Sequence, residues 1–267
     1  ETCIILLSNK TPSEKVSYIN INNNLIEKNN FNEIDIIQWK NNRNYLFDIS
    51  SSSKDFPIIN KIKSKSIQLS EMYDVKVGLQ AYEKGKGKPQ QTESDVKNHI
   101  YDYNYEFDKD TYPYLNGSDI GRYKLNWSGQ WLRHGDWLSQ PKNIGQFNCK
   151  RILIREITGS FPYIIQAMFV EKTYLNNKSI INILEKREDY SLKFLVSYLN
   201  CKLIGFYHKR QTVKGNRSLF PKVVIKDLQN YPIPNISTLD QQPFIDKVDQ
   251  ILTLKKENPA ADTSALE

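Results

Sequence analysis

Cysteine and histidine are scarce in this 267-residue sequence, which contains three of each. The cysteines, Cys3, Cys149 and Cys201, lie far apart, and the histidines are equally scattered. Zinc sites built from these residues use closely spaced ligand pairs, so the sequence gives no support to such a site. A small, odd number of cysteines favours a reducing compartment, and we expect a cytoplasmic protein.

Long apolar runs and a basic leader segment are missing too. No apolar run approaches the ~18 residues that cross a membrane, so we expect no membrane partner. The sequence does not begin with methionine, and we expect residue 1 not to be the natural start. Aromatic residues, by contrast, are frequent at 12%, which argues against disorder and for a packed domain.

Motifs for catalysis are absent as well. The sequence has no Gly-x-Ser-x-Gly elbow, no His-Glu-x-x-His pair, and no Asn/Asp-Pro-Pro-Tyr/Phe tetrad of the kind that amino-methyltransferases use. Asp-x-Lys triplets at Asp74 and Asp95 fit half of a nuclease motif, but such triplets arise by chance in a lysine-rich chain. We therefore expect this chain by itself to be neither an enzyme nor a holder of cofactor or metal. An independent nuclease would need Asp74 or Asp95 to meet other carboxylates in space.

Positive charge is concentrated in two windows, and the net charge is +7. Residues 191–235 hold eight basic residues and one acid, and residues 122–155 hold seven basic residues and one acid. Residues 93–110 are instead acidic, with six acids and two lysines. Basic stretches on a mixed surface favour a polyanionic partner such as nucleic acid. A solvated basic surface would give the same pattern.

Hydrophobic periodicity predicts a strand-rich α+β fold with two prominent helices. Short β-type runs cover residues 2–7, 15–21, 34–39, 150–155, 163–170, 179–184 and 221–225. Apolar residues at helical spacing predict one long central helix from Asp189 to Arg210, and a C-terminal helix over residues 244–255. The serine run at residues 50–53 reads as a linker and sets a domain boundary between about residues 49 and 66.

Four aromatic residues alternate with polar ones at Tyr101, Tyr103, Tyr105 and Phe107. In a strand they would share one face, which favours an aromatic surface packed on a core. The alternative is a platform on which extruded bases stack.

Two loops combine basic residues with amides, the types that contact phosphates and base edges in DNA. The first, within residues 77–92, is predicted to be flexible, and the second, residues 209–217, follows the central helix. A mobile surface loop without function would have the same composition. With basic residues from the second charge window, the candidate DNA-binding residues are Gln80, Lys86, Lys88, Arg122, Lys124, Arg133, Arg155, Lys209, Arg210, Gln211, Lys214, Asn216 and Arg217.

Five motifs, in order along residues 70–267, resemble the target-recognition domains of TaqI-like and Eco57I-like adenine methyltransferases and type IIG restriction enzymes. They are NGSDIGRY at 116–123, ILIRE at 152–156, LNCKLIGFY at 199–207, FPKVVIKDL at 220–228 followed by YPIP at 231–234, and QQPFI at 241–245. Cys201 stands where the family commonly has serine.

The resemblance implies a mixed, β-rich target-recognition domain at residues 61–235, with a C-terminal helix and a frayed tail at 236–267. TCIILL at 2–7 resembles the late strand that closes the methyltransferase sheet. Residues 1–60 would then be the truncated tail of a catalytic domain.

Whole proteins of this family transfer a methyl group from S-adenosylmethionine to adenine N6, and type IIG members add a nuclease that needs Mg²⁺. The resemblance implies that this chain selects sequence in double-stranded DNA. Its own N-terminal catalytic domain would hold the cofactor and perform the chemistry.

The alternative is a type I-like specificity subunit of the HsdS type, or another interaction module, that docks a separate methyltransferase. Residues 1–49 discriminate between the two. A specificity subunit would place a second recognition domain or a long coiled coil there, whereas this sequence has short strand-like runs.

Overall fold

The computed structural model describes residues 5–6, 13–19, 31–40, 47, 55–212 and 221–267. The chain divides into two compact units, residues 1–61 and 62–267. In the first unit, β1 (Lys15–Tyr18) pairs antiparallel with β2 (Asn32–Asp35), and helix α1 (Ile36–Lys40) follows directly. The β-type run predicted at 34–39 is therefore a strand only at its start. The strand predicted at 2–7 falls almost wholly outside the described residues.

Helix α2 (Asp55–Ser64) covers the boundary between the units in sequence. The strands that follow are β3 (Ser66–Gln68), β4 (Tyr73–Val77), β5 (Asp102–Tyr103), β6 (Thr111–Leu115), β7 (Ile120–Gly121), β8 (Lys124–Leu125), β9 (Trp131–Arg133), β10 (Arg151–Arg155), β11 (Ala167–Val170), β12 (Leu175–Asn176), β13 (Ile180–Glu185) and β14 (Pro232–Pro234). The helices are α3 (Leu69–Met72), α4 (Glu93–Asn98), α5 (Leu192–Leu199), α6 (Lys202–Gln211), α7 (Ile225–Gln229) and α8 (Thr238–Glu257). The predicted α+β class is confirmed.

Two four-stranded sheets organise the second unit. The larger sheet is antiparallel throughout, in the order β11-β10-β13-β4, and its centre is formed by apolar residues of β10 and β13, with the buried Asn182 among them. Short, mostly apolar segments of this kind are typical of strands that are buried on both faces. Helix α5 packs on β11 and β10, and α8 packs on α5. The smaller sheet has the order β12-β6-β9-β5 and its own core, which includes Leu79, Leu132 and Phe147.

The prediction of one long central helix is wrong, because α5 ends at Leu199 and α6 begins at Lys202. The buried Asn200 side chain accepts a hydrogen bond from the Ala167 N–H at 3.0 Å and donates one to the Ala167 carbonyl at 2.9 Å. This pairing with a strand competes with helix continuation, as asparagine side chains commonly do. Cys201 adopts an extended backbone, and the chain then starts a second helix at Lys202.

The alternating aromatic residues do not form one face of a strand. Only Tyr103 lies in β5, while Tyr101 packs against the core of the smaller sheet. Tyr105 and Phe107 are 56% and 48% exposed, and the Phe107 ring stacks on Tyr103 with centroids 4.6 Å apart. The sequence pattern therefore predicted the wrong backbone for this segment.

The chain after α8 differs from the predicted frayed tail. The Lys255 ammonium donates to the Ala261 carbonyl at 2.5 Å, and Thr263 is buried. The Glu267 carboxylate pairs with the Arg122 guanidinium. Residues 258–267 thus fold back onto the second unit.

None of the helices within the described residues has both the length and the apolar character needed to cross a membrane. Within the same residues, no group of three or more His, Cys, Asp and Glu side chains is placed to hold a metal ion. Asp74 and Asp95 therefore do not join other carboxylates in such a group.

Candidate nucleic-acid interface

Helix α6 and the connection between β10 and β11, residues 156–166, form one basic and aromatic face. We call it the α6 surface and define it by Arg122, Phe161, Tyr163, Lys202 and Lys209. The connection closes on itself through a hydrogen bond from the Gly159 N–H to the Ile164 carbonyl at 2.7 Å. It also lies directly against α6, since a Cβ atom at Gly205 would come within 2.1 Å of the Pro162 carbonyl oxygen. Glycine is required at this position for the close backbone approach.

Cations and rings alternate on the α6 surface. The Lys209 ammonium lies 4.9 Å from the centroid of the Phe161 ring, and the Lys202 ammonium lies 5.6 Å from that of Tyr163. The Arg122 guanidinium stacks over Tyr163 at 3.7 Å. These distances are within the range of cation–π attraction, which holds the charged groups near the rings. Lys202 and Lys209 are exposed, and Phe161 is 56% exposed.

The opposite face of α6 is buried and anchors the helix through His208 and Tyr231. The Tyr231 hydroxyl lies 2.5 Å from Nδ1 of His208, and the neutral ring accepts a hydrogen bond from it there. Nε2 of His208 is buried and has no hydrogen-bond partner among the described residues. Burial lowers the pKa of His208 to about 4, so the ring is uncharged at neutral pH.

We expect acid to destabilise the fold through His208. The unfolded chain binds the proton near pH 6.5 and the folded chain only near pH 4, so the free energy of unfolding falls between these two values. Between about pH 7 and pH 5 the loss from this residue is about 2 kcal/mol. Urea unfolding of the wild type and of His208→Gln at both pH values measures it. Carboxylates contribute equally to both proteins, so an identical pH dependence in the two would refute the assignment.

The described residues on either side of 213–220, Thr212 and Pro221, lie beside the α6 surface. Thr212 directly follows α6, and the Pro221 carbonyl accepts a hydrogen bond from the Thr158 N–H at 3.2 Å. Lys222 forms a β-bridge with Ile157, rather than the strand predicted at 221–225. Three predicted DNA-binding residues, Lys214, Asn216 and Arg217, lie outside the described residues.

Six other predicted residues lie on α6, in β8 and β10, or in the turn between β7 and β8. Arg122 and Arg155 meet at Gln166, whose side-chain oxygen accepts the Arg122 N–H at 3.0 Å and whose carbonyl accepts the Arg155 N–H at 3.1 Å. Lys124 lies in β8, which pairs with β7 and contacts β11. Lys209, Arg210 and Gln211 form the last turn of α6, and Gln211 accepts a hydrogen bond from Lys63 at 2.7 Å.

The remaining four predicted residues belong to the part of the unit around the smaller sheet. The Gln80 side chain donates to Glu83 at 3.0 Å and accepts from Lys178 at 3.1 Å. Arg133 donates to the Asp108 carboxylate at 2.7 Å.

The exposed Lys86 and Lys88 belong to a loop that was predicted to be flexible. The buried Gln91 closes this loop, because its amide donates to the Ala81 and Trp137 carbonyls, each at 2.8 Å. The predicted DNA-binding residues therefore form two groups rather than one.

Sequence reasoning did not select Phe161, Tyr163 or Lys202. Tyr163 is the first residue of the β-type run predicted at 163–170, and Phe161 lies two residues before that run. Gly159, Ser160 and Pro162 are turn-forming residues that mark this stretch as a loop rather than a strand. Lys202 is placed on the surface only because the chain breaks between α5 and α6.

The comparisons with known proteins agree with the sequence motifs. Residues 112–233 match the family of the TaqI-like C-terminal specificity domain. This stretch, slightly less than half of the chain, is similar to TaqI-like specificity domains, and it contains every residue of the α6 surface. The curated proteins include no significant match to the chain.

Solved structures with similar folds come from several restriction–modification systems. The HsdS subunit from Thermoanaerobacter tengcongensis is 13% identical, with a TM-score of 0.43 over 79% of this chain and 47% of that one. The type IIG endonuclease BpuSI is 12% identical, with a TM-score of 0.45 over 73% of this chain and 28% of that one. The type IIL enzyme MmeI, solved with DNA, is 11% identical, with a TM-score of 0.46 over 75% and 31%. The chain thus spans less than half the length of each of these proteins.

Proposed function

We propose that this chain is the DNA-recognition part of a type IIG restriction–modification enzyme or an adenine-N6 DNA methyltransferase. The α6 surface carries the proposal, because it places exposed cations between aromatic rings on a rigid face of a specificity domain. Phosphate contacts from lysine and arginine supply most of the affinity, and a few base contacts supply the specificity.

The catalytic centre is proposed to lie in another part of the same protein. The family's description as a C-terminal specificity domain supports this arrangement over a separate specificity subunit. The gene region upstream of residue 1 tests it. An Asn-Pro-Pro-Tyr tetrad there agrees with the proposal, and a second recognition domain there contradicts it.

S-adenosylmethionine and Mg²⁺ are proposed to be held by the catalytic part of the enzyme rather than by this chain. The tetrad that holds a target amine is missing from the sequence, and the described residues contain no metal-binding group. In the proposed enzyme, S-adenosylmethionine bound elsewhere supplies the methyl group. The present chain contributes by holding the duplex in register while the target adenine is flipped out of the stack.

We expect the chain to bind double-stranded DNA with a steep dependence on salt. Each neutralised phosphate lowers log K by about 0.9 per tenfold rise in salt. With Lys202 and Lys209 as minimal contacts, the association constant falls about tenfold or more between about 50 and 200 mM NaCl. Fluorescence anisotropy with a pool of short random-sequence duplexes measures this. An association constant that is the same at both salt concentrations would contradict the proposed function.

A further inference from the structure

We propose that Phe161 is an apolar wedge that contacts the bases of bound DNA. The inference rests on the proposed function and deepens it, because it names the base-contacting group of the α6 surface. Apolar side chains that enter a groove can partly unstack a base step, and aromatic rings stack on bases.

Phe161 presents an apolar surface that the fold leaves uncovered. The ring is 56% exposed, although phenylalanine is usually buried, so the fold itself makes little use of its apolar surface. The connection is nevertheless held firmly. The Gly159 N–H donates to the Ile164 carbonyl, and Gly205, which has no side chain, lets the connection lie directly against α6. Gln166 adds a hydrogen bond to the Tyr163 carbonyl at 2.9 Å. A ring on a rigid loop reaches its partner without a large ordering cost.

The positive charge beside Phe161 and Tyr163 favours DNA as the partner. Lys209 lies beside the Phe161 ring, and Lys202 lies over the neighbouring Tyr163. Arg122 also stacks on Tyr163, but the Glu267 carboxylate offsets its charge. A base that meets Phe161 would therefore have its phosphates next to positive charge. The nearby Glu156 carboxylate lies 3.3 Å from the Lys222 ammonium, which offsets its charge.

A second exposed aromatic cluster does not have this environment. Tyr105 and Phe107 lie in the acidic stretch 93–110, next to Glu106 and Asp108. Arg133 lies 5.6 Å from the centroid of the Phe107 ring, but its charge is offset by the Asp108 carboxylate at 2.7 Å, so phosphates would be repelled there. Phe107 is therefore a matched control for Phe161, with similar exposure and more acidic surroundings.

The first test compares Phe161→Ala, Phe107→Ala and Lys209→Ala in the whole chain, with a pool of random-sequence duplexes as the probe. Losing one base–aromatic stack lowers affinity about 5- to 100-fold, and we expect this loss for Phe161→Ala at both salt concentrations. The slope of log K against log salt stays unchanged in that variant, because no phosphate contact is lost. In Lys209→Ala the slope falls by about 1, and Phe107→Ala binds like the wild type.

The second test is Phe161→Trp, which retains an aromatic ring and serves as a spectroscopic reporter. Its binding is expected within a few-fold of the wild type, and its additional indole fluorescence is quenched when DNA is added, because bases stack on the indole. This test holds even if Phe161→Ala folds poorly.

Three outcomes would overturn the inference. The first is an affinity of Phe161→Ala equal to that of the wild type. The second is indole fluorescence that stays unquenched when the Phe161→Trp variant is bound to DNA. Either result would reject Phe161 as a wedge and leave the proposed function intact. Failure of the wild-type chain to bind any duplex would reject the proposed function and the inference with it.

Discussion

Replacing Arg151 with methionine is expected to lower the free energy of unfolding by about 3–5 kcal/mol. Arg151 is fully buried in β10, and its guanidinium donates to the carbonyls of Phe147 and Tyr174, each at 2.5 Å. It donates also to the Asn182 side chain at 3.1 Å. Methionine fills a similar volume but offers no donor, so these acceptors would stay buried without partners.

Two effects oppose each other in this substitution. Burial lowers the pKa of Arg151 to about 10, and removing the cation relieves about 3 kcal/mol of desolvation. Each charge-assisted hydrogen bond is worth about 1.5–3 kcal/mol, and each stranded acceptor costs about 1–3 kcal/mol more. The lost hydrogen bonds therefore outweigh the relief, and the net effect is destabilising.

Urea unfolding and thermal melting of Arg151→Met measure the loss, which corresponds to a drop in Tm of roughly 10 °C for a unit of this size. Lys150→Met is the control, because the neighbouring Lys150 is exposed and pairs only with the exposed Glu171 at 3.2 Å. We expect that control to stay within about 0.5 kcal/mol of the wild type. Equal stability of the two variants would show that the buried guanidinium is not structural.

Reversing the charge of Lys202 and Lys209 together is expected to lower DNA affinity by about two orders of magnitude at about 50 mM NaCl. Each lysine that neutralises a phosphate contributes about 0.9 to the salt slope, so the slope falls by about 2 in Lys202→Glu, Lys209→Glu. Both side chains are exposed on α6, so the fold is expected to survive.

The matched control is Lys247→Glu, Lys256→Glu, on the exposed side of α8. It changes the net charge by the same amount at a distant place in the sequence, so a general electrostatic effect would weaken both variants alike. Anisotropy at two salt concentrations separates them. Equal losses in the two variants would mean that the α6 surface is not the DNA-binding face.

The sequence by itself determined the class of the domain. Apolar periodicity predicted runs that contain β10, β11 and nearly all of β13 of the larger sheet, and it predicted the C-terminal helix, because burial imposes a local period on strands and helices alike. It did not predict β4. The ordered motifs around Arg122, Ile152 and Tyr231 indicated the specificity domain that residues 112–233 match. These signals are local or repeat along the chain, so they can be recognised without knowing which residues are in contact.

Only the tertiary structure decided which residues of the basic windows face solvent and which hold the fold together. Arg151 and Arg155 look alike in the sequence, yet Arg151 is buried because carbonyls from distant segments, Phe147 and Tyr174, converge on it. Asn200 ends α5 because it meets Ala167, 33 residues away in the chain. Phe161 is exposed beside Lys209 because Gly205 lets the connection approach α6. Each result depends on a contact between residues far apart in sequence, which no local pattern of residue types contains.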